Sequence, residues 1–325
     1  MIYLYFAALI LSFAILFKCA DWFVRGACSI AEVLNVPKMI VGIVLVGLAT
    51  TAPEFFVSVI AAYLGHPEIA LGNAVGSVIC DDGIAMALAA LIAPAAILIN
   101  CRILKAVGIF LLSVDFLAFF LAKNGQIGRA EGLVFLLILV VYFIFMIRSQ
   151  RSNVFRTGQD NERLDKNLPL TLKKSQLKKP LLFFLAGIAG VIITSRVIVW
   201  SAVNVARFFR ISEIIIGLTV VAIGTSLPEI STCITAALKR EGEIAVGNII
   251  GADILNILWI IGVASVVNPI KVEVEVVNFT FPYMILVVAT MLIAMRIGCR
   301  LGKIKGLILV ALYLIYIFLT ISLFT

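Results

Sequence analysis

Thr50-Thr51-Ala52-Pro53-Glu54 and Thr225-Ser226-Leu227-Pro228-Glu229 are two versions of one polar phrase set in an otherwise apolar chain. Each is followed at the same distance by a Gly-Asn-x-x-Gly run, Gly72 to Gly76 and Gly247 to Gly251, and both matching pairs are offset by 175 positions (229 − 54 and 247 − 72). The chain therefore reads as an internal duplication. The parts kept in both copies are the polar ones, which hydrocarbon tolerates least.

The surroundings of those phrases set the class. Of 325 residues 63% are hydrophobic and 14% charged, and the mean hydropathy is +1.17, well beyond the composition of a water-soluble domain. About 20 apolar residues cross roughly 30 Å of hydrocarbon. The apolar runs give ten spans, near 2–24, 39–64, 69–92, 103–122, 130–148, 180–203, 213–238, 244–268, 278–296 and 304–324. Long unbroken runs are helices, since membrane barrel strands would be short and alternating. The first run lacks a basic n-region and a small-residue cleavage site, so it reads as a retained helix.

Basic residues orient the spans, because short cytoplasmic loops collect Lys and Arg. The stretch 149–179 carries Arg151, Arg156, Arg163, Lys166, Lys173, Lys174, Lys178 and Lys179; alternate loops add Arg102, Lys105, Lys239, Arg240, Arg300, Lys303 and Lys305. With ten spans these fall on one side, which places both termini outside the cytoplasm. The predicted organisation is a five-helix repeat over 1–148, a basic cytoplasmic linker over 149–179, and a second five-helix repeat over 180–325. Five is odd, so the second copy enters the membrane inverted, a transporter signature. The net charge of +8 is explained by topology and anionic lipid, with no call for nucleic acid. Cys19, Cys28, Cys80, Cys101, Cys233 and Cys299 show no C-x-x-C spacing and read as small buried hydrophobes.

Glu54 and Glu229 fall near the middles of their spans, where a carboxylate costs roughly 2.5–3.5 kcal/mol even on the lenient insertion scale. Each follows a proline, Pro53 or Pro228, which frees the carbonyl four residues earlier, at Ala49 and Gly224. Thr50, Thr51, Thr225 and Ser226 add hydroxyls beside those carbonyls. Thr50 with Glu54, and Thr225 with Glu229, are spaced i, i+4 and are expected to share a helix face. Asn73, Ser77 and Asp81 form a second stripe, matched by Asn248, Ala252 and Asn256. Only oxygen donors converge, which suits hard cations such as Ca2+, Na+, K+ or Mg2+ and disfavours zinc or copper. The paired glycines read as small-xxx-small contacts that bring helices close. Glu68 and Glu243 read as solvated helix-end residues, and His66 is the single histidine.

Set side by side, Thr-Thr-Ala-Pro-Glu with Gly-Asn-Ala-Val-Gly-Ser and Gly-Thr-Ser-Leu-Pro-Glu with Gly-Asn-Ile-Ile-Gly-Ala make the chain resemble the cation/Ca2+ exchanger superfamily, and among it the prokaryotic sodium/calcium exchangers. The resemblance runs the whole length and implies a cell (inner) membrane protein with two inverted repeats. It implies that Glu54 and Glu229 bind Ca2+ and flank Na+ sites. It also implies that Thr50, Thr51, Thr225, Ser226 and Ser77 supply oxygens, with Ala49 at a backbone-ligand position. The chain departs from the family at Ala252, where Ser is common, at Gly251-Ala252-Asp253, and at Asp81 and Asn256, which reverse the usual Asn and Asp. These departures bear on the coupled ion, Na+ with K+ or H+ as alternatives. Proton-coupled relatives carry a Glu where this chain has Gly76 and Gly251, which makes a Ca2+/H+ exchanger the second reading and a passive cation channel the third.

The resulting expectation is an antiporter, not an enzyme, with no cofactor beyond its transported ions. The lipid bilayer is its other partner, and its oligomeric state is not readable. An intramembrane aspartyl protease using Asp81 and Asp82 is disfavoured, because neighbours on a helix point about 100° apart.

Overall fold

The computed structural model describes residues 2–33, 50–157, 170–240 and 242–324. They form α1 (Ile2–Val33), α2 (Ala52–Tyr63), α3 (Pro67–Ile92), α4 (Cys101–Ala122), α5 (Arg129–Thr157) and α6 (Leu170–Phe209). Then follow α7 (Glu213–Thr225), α8 (Leu227–Leu238), α9 (Gly242–Val267), α10 (Val276–Cys299) and α11 (Lys303–Phe324). Among the described residues eight helices are long and apolar enough to cross a membrane, and α7 with α8, bent by 42° at their junction, make a ninth. Of the expected span 39–64, the described part is the short apolar helix α2; residues 39–49, Ala49 included, lie outside the described residues. At the expected linker, α5 runs on to Thr157 and α6 already begins at Leu170, so helix extends into that stretch from both sides.

Local chemistry explains the helix ends. Proline stands at the first or second position of α2, α3 and α8, where its missing N–H costs nothing. The Asn100 side chain accepts from the backbone N–H groups of Arg102 and Ile103 at 3.2 and 3.4 Å, capping α4. In α5 the Glu131 carboxylate turns back to the Gly128 N–H at 3.0 Å.

α3 and α9 are central: 78% of each is buried, against 17 to 50% of the other six spanning helices. The main apolar core lies around them and includes Phe135, Phe281, Met284 and Tyr316. A smaller core lies between α1 and α6, with Leu9, Leu16, Val191 and Ile198, and reaches α2 through Val57 and Ala61. Gly72 and Gly76 let α3 press against α7: a methyl on either would stand 2.5 Å from the Ile214 carbonyl oxygen or 2.6 Å from that of Leu218. At Gly247 and Gly251 an added methyl would meet nothing within 4 Å among the described residues; the positions 175 residues before Ile214, Leu218 and Ala222, which would be their counterparts, lie outside the described residues.

Two short antiparallel ribbons tie the loops. β1 (Ile97–Leu98) pairs with β4 (Arg300–Leu301), and β2 (Gln126–Ile127) pairs with β3 (Ile270–Lys271). Beside the first ribbon Cys101 and Cys299, with Cα atoms 5.5 Å apart, form a disulfide. This corrects the reading of all six cysteines as isolated apolar side chains; Cys19, Cys80 and Cys233 do remain free and buried. The ribbon register sets the pairing of two residues 198 positions apart in sequence, and no local spacing encodes it.

Candidate cation site

The sequence puts a proline two residues after each Thr50-Thr51 or Thr225-Ser226 pair, and both helices break there. Thr51 and Ser226 leave the helical region, at φ/ψ of −82/2° and −76/1°, and α2 and α8 start afresh behind them. Glu54 and Glu229 thus stand in the first turns of α2 and α8, one turn inside a helix N-terminus and its partial positive charge.

The break also redirects the hydroxyls. Thr225 does not lie along a helix face with Glu229; its Oγ1 donates to Asn73 Oδ1 on α3 at 2.9 Å and faces the Glu54 carboxylate. Thr50 Oγ1 donates to Asn248 Oδ1 on α9 at 3.3 Å and faces Glu229. The expected i, i+4 pairing inside each motif is corrected to a crossed arrangement, in which each hydroxyl donates to an asparagine of the other copy and lies on the side of that copy's glutamate. The proline kink is the cause, since it rotates the residues on its two sides out of register.

Asp81 faces both Glu54 and Glu229 and has the Ser226 hydroxyl on its side. Asp81 and Asn256 each open a π-helical turn, Asp81–Ala85 in α3 and Asn256–Ile261 in α9, again 175 positions apart (256 − 81). Such turns widen a helix locally and recur at functional sites. Glu54, Glu229, Asp81, Ser77, Thr51, Ser226 and Asn256 are all buried. Yet the carboxylate oxygens of Glu54, Glu229 and Asp81, the hydroxyls of Ser77 and Ser226 and the amide of Asn256 have no hydrogen-bond partner among the described residues. An unpaired carboxylate in a dry interior costs several kcal/mol and calls for a counter-charge. Among the described residues no three His, Cys, Asp or Glu side chains converge closely enough to hold a metal ion as they stand.

The structure adds residues the sequence reading passed over. Ser58 accepts from Asn73 at 2.9 Å. Phe55, next to Glu54, stacks on Trp259 with ring centres 3.9 Å apart and planes within 10°. Asp82 turns from the site toward Asp253 on α9, with Asp115 on α4 beside them, all three buried and unpaired among the described residues. An ionisable residue inside a spanning run was the available signal for Asp115 and Asp253.

Comparison with known proteins covers nearly the whole chain. The family described as sodium/calcium exchanger protein matches residues 4–148 and, separately, 179–322. The sodium/calcium exchanger MaX1 of Methanosarcina acetivorans is 28% identical over 98% of this chain and 98% of its own length. The inner membrane protein YrbG of Escherichia coli is 30% identical over 96% and 95%. Among solved structures, the sodium-calcium exchanger NCX_Mj soaked with Na+ and Sr2+ superposes with a TM-score of 0.63 at 27% identity, covering 98% of both chains.

Proposed function

The chain belongs to the sodium/calcium exchanger protein family, and from that premise we propose that it exchanges Ca2+ for Na+ across the membrane by alternating access at a site built on Glu54 and Glu229. The observation that carries this reading is the set of three mutually facing, buried carboxylates, Glu54, Glu229 and Asp81, none of whose oxygens has a hydrogen-bond donor among the described residues. Two glutamates match the charge of one Ca2+ or two Na+, so the ions compete for one set of oxygens. Exchange follows from that competition, because only an occupied site is neutral enough to cross the barrier. Thr50, Thr51, Thr225, Ser226 and Ser77 supply neutral oxygens, and the Ala49 carbonyl is assigned to the same set. Asp81 and Asn256 hold the position where a further monovalent ion, K+ included, would sit.

We read the architecture as ten spans in two inverted five-helix repeats, joined by the basic stretch 149–179, with both termini outside. Three features support it: the family matches the chain in two stretches; π turns open at equivalent positions of α3 and α9; and the ribbons exchange partners as inversion requires, β1 corresponding to β3 and β2 to β4. The test is Na+-gradient-driven uptake of radiolabelled Ca2+ by vesicles carrying wild type or Glu54→Gln. Wild type is expected to load Ca2+ and the variant to lose uptake. Normal uptake by Glu54→Gln refutes the site, and uptake driven by a pH gradient without Na+ makes the protein a Ca2+/H+ exchanger.

A further inference from the structure

Asn73 and Asn248 hold equivalent places in the two copies (248 − 73 = 175), but their side chains are not equally engaged. The Asn73 amide nitrogen donates to the Glu54 carbonyl oxygen at 3.2 Å and to the Ser58 hydroxyl at 2.9 Å, while its oxygen accepts from Thr225 at 2.9 Å. A primary amide has two N–H hydrogens and one carbonyl, so every group of the Asn73 side chain is engaged by protein. Three segments meet on it: the first and second turns of α2, α3 itself, and the end of α7. The Asn248 oxygen accepts from Thr50 at a longer 3.3 Å, and its buried Nδ2 makes no hydrogen bond to oxygen among the described residues and has the Cys233 thiol beside it.

The sequence explains the inequality. The position of Ser58 is taken in the second copy by Cys233 (58 + 175). A thiol is a weak acceptor, and Cys233 directs its own Sγ to the Ala245 carbonyl at 3.5 Å. The hydroxyl that fixes the first amide is replaced in the second copy by a thiol, which holds its partner more weakly.

We propose that Asn73 is a positioning residue, a strut that holds Glu54 of one copy and Thr225 of the other in a single geometry, and that the Ser58/Cys233 difference leaves its counterpart Asn248 slack. This deepens the proposed function and rests on it, since Glu54 and Thr225 matter as oxygens of the cation site. The half of the site made by Glu54 and Thr225 is preorganised; the half made by Glu229 and Thr50 adjusts when an ion enters. Preorganisation lowers the ordering cost of binding, so the strut acts on the concentration of Ca2+ needed more than on the turnover of a loaded carrier.

Initial rates of Na+-driven Ca2+ uptake, measured against Ca2+ concentration in reconstituted vesicles, read this directly. Ser58→Ala is expected to raise KM for Ca2+ about fivefold, the scale of one neutral hydrogen bond, with the maximal rate within about twofold on the same reasoning. Ser58→Thr keeps the acceptor and restores KM, and Cys233→Ser, which completes the second strut, lowers it. An unchanged KM in Ser58→Ala overturns the proposal, as does a Cys233→Ser variant whose KM is unchanged or raised. Should Ser58→Ala not fold, Cys233→Ser decides alone. A second measurement does not depend on transport: thermal unfolding in detergent of Asn73→Ala, Thr225→Val and the double variant. The strut requires the double variant to unfold no lower than the weaker single one, and additive losses overturn it. If Glu54→Gln transports normally, the proposed function fails and the strut is judged on these unfolding data.

Discussion

Gly76→Ala tests the close crossing of α3 and α7 on which the site depends. The added methyl carbon would lie 2.6 Å from the Leu218 carbonyl oxygen, 2.8 Å from the Ala222 Cβ and 2.9 Å from the Leu218 Cα. Two of these are backbone atoms and cannot rotate away. The shortest ordinary contact is 3.4 Å, so the helices must part by up to 0.8 Å (3.4 − 2.6). The same displacement applied to the Thr225 to Asn73 bond carries it from 2.9 Å to about 3.7 Å, outside hydrogen-bond range. Overpacking of this kind costs about 1–3 kcal/mol, and the lost bond adds about 1 kcal/mol. Vesicle uptake of Ca2+ is expected to fall about fivefold or more, and the purified protein to unfold at lower temperature than wild type. Gly302→Ala serves as the control, since its methyl meets only the Ala96 Cβ at 3.8 Å, an ordinary contact. If Gly76→Ala matches Gly302→Ala in both uptake and unfolding temperature, α3 and α7 do not cross this closely and the reasoning fails.

Asn100→Ala removes the cap of α4, which accepts from two backbone N–H groups; it should destabilise the protein by about 1 kcal/mol, seen as a lower unfolding temperature with Ca2+ uptake preserved. Trp259 stacks on the neighbour of Glu54, so in a Trp22→Phe/Trp200→Phe background its fluorescence should change on adding Ca2+, and an unresponsive signal would place ion binding elsewhere. Alkylation of the unfolded chain without reductant should leave Cys101 and Cys299 unmodified, and mass spectrometry after reduction should find both modified; modification before reduction means the bridge is absent.

The duplication made the polar positions visible before any coordinates: Glu54 and Glu229 are buried and face each other, as two acids at equivalent mid-span places suggested. Local spacing failed where the chain kinks. An i, i+4 count assumes a continuous helix, and the breaks at Thr51 and Ser226 turn Thr50 and Thr225 to the opposite copy. The role of Asn73 was invisible for a related reason, because its partners Glu54, Ser58 and Thr225 come from two other helices. Asp82, Asp115 and Asp253 likewise arrive from α3, α4 and α9, and no one-dimensional pattern brings them together.

The disulfide and the basic loops bear on orientation in opposite senses. Cys101 and Cys299 flank the β1–β4 ribbon, in the company of Arg102, Lys105, Arg300, Lys303 and Lys305. Counting Lys and Arg assigns that face to the cytoplasm, where thiols are kept reduced. The two hold together if the bridge is made and broken there. A membrane-impermeant maleimide applied to intact cells after brief reduction separates the cases. Labelling of Cys101 and Cys299 only once the membrane is permeabilised places the bridge inside, as a link that the cytosol can open. Labelling on intact cells puts this face outside, and the charge count then yields to the cysteine pair, since an oxidising compartment is what a lasting disulfide demands.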